Sequence, residues 1–338
     1  MQDADPDPEP LVAVAMATFE PEPELFERQV ESLREQTDAN WVCAISDDAS
    51  SPERFAGLER AIAGDPRFTV TRGERRLGFY RNFERALGMV PAEAELVAFA
   101  DQDDRWHPDK LATLARAIGG AQLAYSDARA VRQDGTVISE TLWRERRNNF
   151  TNLASLLIAN TVTGATSMFR RDLLDLVLPF PEAPGTPYHD HWAALVALAS
   201  GRIAYVDRSL LDYVQHPGAV LGHEAMEARP RISRRERLQR LGRNPYATRE
   251  RWREAYEDDW RRVVALARAL EERCELSGAD RRALGPLLAG DRSPRTWAWL
   301  ALRPLRSLAG HNETKGFEHR LLRGLVWRRL AGRSADGR

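Results

Sequence analysis

From Leu11 to about Gly120, short apolar runs alternate with amphipathic stretches, and that alternation narrows the fold more than any other feature of the chain. Leu11 to Phe19 is apolar and bounded by polar, Pro-rich sequence, the pattern of a buried strand. Glu24 to Gln36 sets Leu25, Phe26, Val30 and Leu33 at helical spacing among charges. Further strands are expected at Trp41 to Ser46, Phe68 to Thr71 and Leu96 to Ala100, with helices at Arg54 to Ala63 and Asn82 to Met89 between them. Strands that alternate with helices join through right-handed crossovers. The expected class is therefore α/β, with a mostly parallel, Rossmann-like sheet flanked by helices.

Polar clusters fall just after three of these strands: Thr18 and Glu20, Asp47 and Asp48, then Asp101 and Asp103. In open α/β sheets, ligands bind outside the carboxyl ends of the strands, so the clusters are expected to converge on one crevice. Further on, Gln122 to Val131 and Thr136 to Ile138 read as strands joined at Asp134-Gly135. Asn152 to Ala159 reads as a helix, Gly164 to Phe169 as a strand feeding the helix Arg171 to Val177, Trp192 to Ala199 as an apolar helix, and Arg202 to Val206 as a strand. Beyond about Arg231 the character changes: Ser233 to Arg273 is charged and largely helical with a break at Pro245, while Trp297 to Leu308 and Phe317 to Leu330 mix Trp, Leu and Arg. The expected division is a tail at 1–10, a domain at 11–229 and an Arg-rich helical extension at 230–338.

Composition removes several function classes. With 43% hydrophobic residues a sizeable core is available, and the net charge of −1 conceals acidic sequence early and Arg after about Pro230. Cys43 and Cys274 lie far apart and form no CxxC pair, which argues against a structural zinc or disulfide scaffold and fits a reducing cytoplasm. Met1 to Pro10 is acidic and Pro-rich, a disordered lead-in by composition, and no run of about 18 apolar residues exists to span a membrane. A nicotinamide enzyme would need glycines after the first strand, but Thr18-Phe19-Glu20-Pro21-Glu22 supplies none. The Arg-rich extension has two readings: peripheral contact with anionic lipid on the inner face of the membrane, or helices that pack on the domain. No module for nucleic acid accompanies it.

Asp101-Gln102-Asp103 is the most informative trio. Carboxylates are hard oxygen ligands suited to Mg2+ or Mn2+, and a nucleoside diphosphate brings more oxygens to the same ion. Such a cation neutralises charge developing on a departing diphosphate. Taken alone, the trio fits better a chance DxD in a loop whose Asp caps a helix.

Its setting decides between them. Phe99-Ala100-Asp101-Gln102-Asp103-Asp104-Arg105-Trp106, followed by Pro108-Asp109-Lys110-Leu111, resembles the DxD segment of family-2 glycosyltransferases of the GT-A fold, rhamnosyltransferase-like members in particular. The resemblance runs from Val12 to Gly222. It implies an inverting, metal-dependent transfer from a UDP- or dTDP-sugar to a hydroxyl of a glycan or lipid-linked acceptor, in cell-surface polysaccharide synthesis. Ala17-Thr18-Phe19-Glu20 matches the stretch that meets the nucleotide, with Phe19 where the family often has Tyr and Glu20 where it often has Asn. Ser46-Asp47-Asp48-Ala49-Ser50 matches the family's DDxS, which gives Asp48 the base N–H. Leu77 to Asn82 resembles the glycine-containing loop near the donor, with Arg81 toward phosphate or sugar, and Gln102 joins Asp101 on the nucleotide side. Asp101 and Asp103 become metal ligands, with His216 of the Gln215-His216 loop completing the shell. Tyr188-His189-Asp190-His191-Trp192 matches the base motif, so Asp190 is the expected general base, with His189 and His191 orienting it or meeting the acceptor. Gly164 brings backbone close to the donor sugar. The alternative is a protein that binds a nucleotide sugar without turning it over.

Overall fold

The computed structural model describes residues 9–37, 40–142, 149–216, 245–309, 314 and 316–335. The expected lead-in before Glu9 and the basic stretch 231–244 lie outside them. The chain divides into two compact units, the first formed by 1–142, 162–180 and 201–215, the second by 143–161, 181–200 and 216–338.

The first unit is built on one sheet with nine strands among the described residues, in the order β3-β2-β1-β4-β8-β6-β9-β5, with β7 on β6. β1 (Val12–Thr18), β2 (Trp41–Asp47), β3 (Phe68–Arg72) and β4 (Leu96–Ala100) are mutually parallel. The crossovers are α1 (Pro23–Arg34), α2 (Pro52–Ile62) and α3 (Phe79–Gly88). Proline at the first helical position starts α1 and α2, and Ser51 caps α2 by accepting from the Arg54 N–H. Val12 to Met16 and Val97 to Ala100 are fully buried, as expected of strands covered on both faces. Phe83 of α3 stands edge-on to Phe99 of β4 at 5.6 Å.

Past β4 the directions mix. β8 (Ser167–Arg170) runs antiparallel to β4 and to β6 (Leu123–Arg132), β7 (Val137–Ser139) returns antiparallel to β6, and β9 (Ile203–Gln215) is parallel to β6. β5 (Arg105–Trp106) pairs antiparallel with β9, and α4 (Lys110–Ile118) follows it. The strand expected from Gly164 begins only at Ser167. Gly164 to Thr166 instead form a 3-10 turn, because the Thr166 hydroxyl donates to the Thr163 carbonyl at 2.7 Å and the Ser167 hydroxyl to the Gly164 carbonyl at 2.8 Å. Arg171 to Leu173 form a second 3-10 turn leading into α5 (Leu174–Val177).

The described part of the second unit is helical: α6 (Leu153–Ile158), α7 (His189–Ala199), α8 (Pro245–Glu254), α9 (Arg261–Arg273), α10 (Gly278–Leu288), α11 (Pro294–Leu302) and α12 (Phe317–Ala335). Pro245 begins a helix where the sequence read a break. Between α8 and α9 lies a π-helical turn, Ala255–Trp260. α12 crosses that turn at Gly324, where a Cβ would lie 2.7 Å from the Ala255 carbonyl, so only glycine admits the contact. α7 is buried nearly all round, from His189 and Trp192 to Ala199.

Candidate functional site

The parallel strands β2, β1 and β4 lie side by side, and their carboxyl ends bring the predicted clusters to one edge. Ala17 pairs with Ser46 and Thr18 with Asp47, while Met16 pairs with Ala100, the residue before Asp101. The Thr18 hydroxyl donates to Asp47 at 3.1 Å, and the Ser50 N–H donates to Asp47 at 3.0 Å. Asn82, buried in α3, ties the two strand ends together: its amide donates to the carbonyls of Thr18 (3.0 Å) and Ser46 (2.9 Å) and accepts from the Ser46 hydroxyl at 2.7 Å. Arg85, one turn on, donates to Asn82 and to the Asp47 carbonyl.

The loops beyond these ends hold non-glycine residues in the left-handed region, Glu20 at φ 45° and Ala49 at φ 62°. Such backbone persists only where its surroundings over-determine it, and it clusters at ligand sites. Here the Glu20 N–H donates to the Ser50 hydroxyl at 2.8 Å, and its carboxylate accepts from the Ser51 N–H at 2.5 Å and the Ser51 hydroxyl at 3.2 Å. Glu20 thus fastens one loop to the other. Phe19 is half-buried, with the exposed Arg76 guanidinium 4.0 Å from its ring centroid. Arg76 was not singled out from the sequence, although the run Arg72-Gly73-Glu74-Arg75-Arg76 was its signal.

Two residues assigned to the donor nucleotide are engaged within the protein. Asp48 is buried, and its carboxylate accepts from the backbone N–H of Leu77 (2.7 Å) and Gly78 (2.8 Å), holding Gly78 at φ 83° where α3 begins. Gln102 makes a reciprocal pair with the Phe19 backbone, accepting from its N–H at 2.8 Å and donating to its carbonyl at 3.2 Å. That pair locks the end of β4 to the end of β1. Arg81, expected at phosphate or sugar, donates to Glu84 at 2.7 Å and to the Phe180 carbonyl at 3.0 Å, while the Phe180 N–H donates to Glu84 at 2.6 Å. The guanidinium thus joins a clamp between α3 and the Phe180 backbone.

Asp101 and Asp103 are half-buried, whereas Asp104 is buried with its Oδ1 accepting from the Val214 N–H at 3.3 Å. Burial, followed by the negative charge of Asp101 and Asp103, pushes the Asp104 carboxyl well above the usual carboxylate range. Lys110 lies fully buried nearby. Its ammonium donates to the Ala165 carbonyl at 2.5 Å and sits 3.0 Å from the Trp106 ring centroid, and burial pulls it well below the usual lysine range. No role for Lys110 was read from the sequence, where it looks like any lysine opening an amphipathic helix. Among the described residues no three His, Cys, Asp or Glu side chains gather as metal ligands. The donor set still suits Mg2+ or Mn2+, which take one or two carboxylates and draw the remaining oxygens from phosphate and water. His216 is half-buried, immediately after β9, and Gly164 is buried where its 3-10 turn begins.

In the second unit Asp190 occupies the first turn of α7 and is half-buried. Its Oδ1 accepts from the Asn160 amide at 3.3 Å and from the His191 N–H at 2.5 Å. A helix N-terminus favours the ionised form of a carboxylate. His191 is buried with its ring bonded to the Leu156 carbonyl at 2.8 Å, and His189 is buried beside it in the chain. Burial lowers His189 to about 3 and His191 to about 4, so both rings are neutral at pH 7. The His191 ring ties α7 to α6 through the Leu156 carbonyl. Asn160 has no spacing or motif that would have marked it.

Residues 14–178 match the family model described as Glycosyl transferase family 2. The fold is shared with Staphylococcus aureus TarS residues 1–349 in complex with UDP-GlcNAc, at 17% identity, TM-score 0.53, and coverage of 92% of this chain and 90% of that one. The mannosyltransferase PcManGT from Pyrobaculum calidifontis, in complex with GDP-Man and Mn2+, aligns at 18% identity, TM-score 0.51, and coverage of 95% and 88%. A Sinorhizobium fredii relative, "Uncharacterized protein y4gI", is 30% identical over 122 residues, which span 35% of this chain and 13% of that protein.

Proposed function

We propose that the protein transfers a sugar, with inversion, from a UDP- or dTDP-linked donor to a hydroxyl of a glycan or lipid-linked acceptor during cell-surface polysaccharide synthesis. The observation that carries the reading is the joining of the ends of β1, β2 and β4 by Asn82, Asp47 and Gln102 into one rigid edge bearing two half-buried carboxylates. The Phe19 ring, backed by Arg76, offers the base a stacking face. A rhamnosyltransferase-like donor follows from the motif resemblance, and the mannosyl and N-acetylglucosaminyl donors named with PcManGT and TarS are its competitors.

Asp101 and Asp103 would hold a divalent cation together with the diphosphate, and the cation would supply charge neutralisation for the leaving group. Asp190 serves as the general base toward the acceptor hydroxyl, with its Oδ1 held by Asn160 and the α7 backbone. Gln102 and Asn82 act through position, keeping strand ends fixed while the ligand is bound.

Calorimetric titration with UDP and with dTDP, each with and without Mn2+, tests the site. Metal-dependent binding of one of the two is expected, and Asp103→Ala should abolish the metal dependence. Unchanged affinity of Asp103→Ala in Mn2+ would remove the metal assignment. Asp190→Asn should bind the donor as the parent does and fail to transfer; ordinary turnover would remove Asp190 as the base.

A further inference from the structure

Seven large apolar side chains are exposed among the described residues, and three of them follow one another at intervals of three: Leu302 (61% exposed), Leu305 (57%) and Leu308 (86%). Leu302 ends α11, and Leu305 and Leu308 lie in the 3-10 helix Arg303–Ala309. A 3-10 helix has three residues per turn and rises about 2 Å per residue, so residues three apart stack on one face, about 6 Å from one another. The leucines therefore form a stripe.

The turn is anchored at its first residue. Arg303 is buried, donates to Asn152 (3.1 Å) and the Ser155 hydroxyl (2.6 Å) at the start of α6, and lies 3.5 Å from the fully buried Glu318 of α12. Arg303 thus fixes the start of this 3-10 helix through buried contacts, while Leu302, Leu305 and Leu308 remain in water. An apolar stripe rimmed by charge marks an interaction surface.

Charge selects the partner. Residues 294–309 contain Arg295, Arg303 and Arg306 and no acidic residue, and 316–335 contain five Arg against the single Glu318. Arg295 and Arg306 are exposed, and Leu330 of α12 is a further exposed leucine (56%). Apolar side chains at a crest with guanidinium groups around them complement the acyl boundary and headgroups of an anionic bilayer. No helix among the described residues is long and apolar enough to cross a membrane, so the contact is with the surface. We infer that Leu302, Leu305 and Leu308 form the edge by which this protein inserts into the interface of an anionic membrane, with Arg306 and its neighbours on the headgroups. This inference stands apart from the transfer reading, since it uses none of the donor-site residues.

The test is co-sedimentation of the full chain with vesicles of phosphatidylcholine, with and without phosphatidylglycerol. The protein should sediment with the anionic vesicles and release at high salt. Leu305→Ser combined with Leu308→Ser should weaken partitioning by about a hundredfold or more, since two leucines are lost from the interface. Both positions are exposed, so the thermal transition should be unchanged. Leu308→Trp should strengthen partitioning, a gain that a misfolded variant would not show. Parent protein that stays in the supernatant, or a double serine variant that sediments as the parent does, overturns the inference. So does a parent that is dimeric in solution and becomes monomeric in the double variant, because the stripe would then be covered by a second copy. Nucleotide titration on the same samples separates this outcome from failure of the donor site.

Discussion

Asp48→Ala separates two roles for one carboxylate. If Asp48 only meets the donor base, the ligand-free protein should not notice its loss. The structure gives it other work, since both oxygens accept backbone N–H groups, from Leu77 at 2.7 Å and Gly78 at 2.8 Å, in a buried setting. Hydrogen bonds to a charged acceptor contribute about 1.5–3 kcal/mol each. Leu77 is 39% exposed, so water reaches part of the loop and recovers some of that loss. The expected net destabilisation is roughly 2–4 kcal/mol, or a fall of about 1–2 M in the urea midpoint for a slope near 2 kcal/mol/M. Asp48→Asn keeps one acceptor oxygen and should lose about half as much. Hydrogen exchange on ligand-free protein should show the Leu77 and Gly78 amides losing protection while those of β1 keep theirs. A stability change below about 0.5 kcal/mol, with both amides still protected, would refute the reasoning.

Other consequences follow from buried groups. Lys110→Met strands the Ala165 carbonyl and should cost about 1–3 kcal/mol by thermal unfolding; stability equal to the parent's would show that the ammonium contributes nothing net. His189 and His191 are held near 3 and 4 against 6.5 when free, so below about pH 6.5 the unfolded chain takes up protons that the folded chain refuses. The stability they contribute is complete above that pH and drains away as pH falls toward 4, and His189→Phe should flatten this acid limb in a pH series of melting temperatures. Asn160→Ala removes the Asn160 amide from Asp190 and should lower kcat with little change in donor affinity, and a kcat equal to the parent's would remove Asn160 from the proposed base.

Much of the first unit was legible in the chain before any coordinates. The strands and helices from Val12 to Ala100 lie within a few residues of where apolar periodicity set them, because a strand covered on both faces and a helix covered on one leave different spacings of apolar residues. The same logic placed Thr18, Asp47 and Asp101 at strand ends, and parallel pairing necessarily brought those ends to one edge. Periodicity carries no information about partners distant in sequence, and those only the tertiary structure decided. Gln102 reaches back to Phe19, Arg81 turns to Phe180, and Lys110 goes under the acidic loop to Ala165. The grouping of 143–161 and 181–200 with the C-terminal helices is likewise decided by long-range packing, as are the burial of Arg303 and the exposure of the three leucines near it. A polar side chain on an amphipathic pattern reads as surface, and only the completed core shows which ones exchange water for a backbone carbonyl.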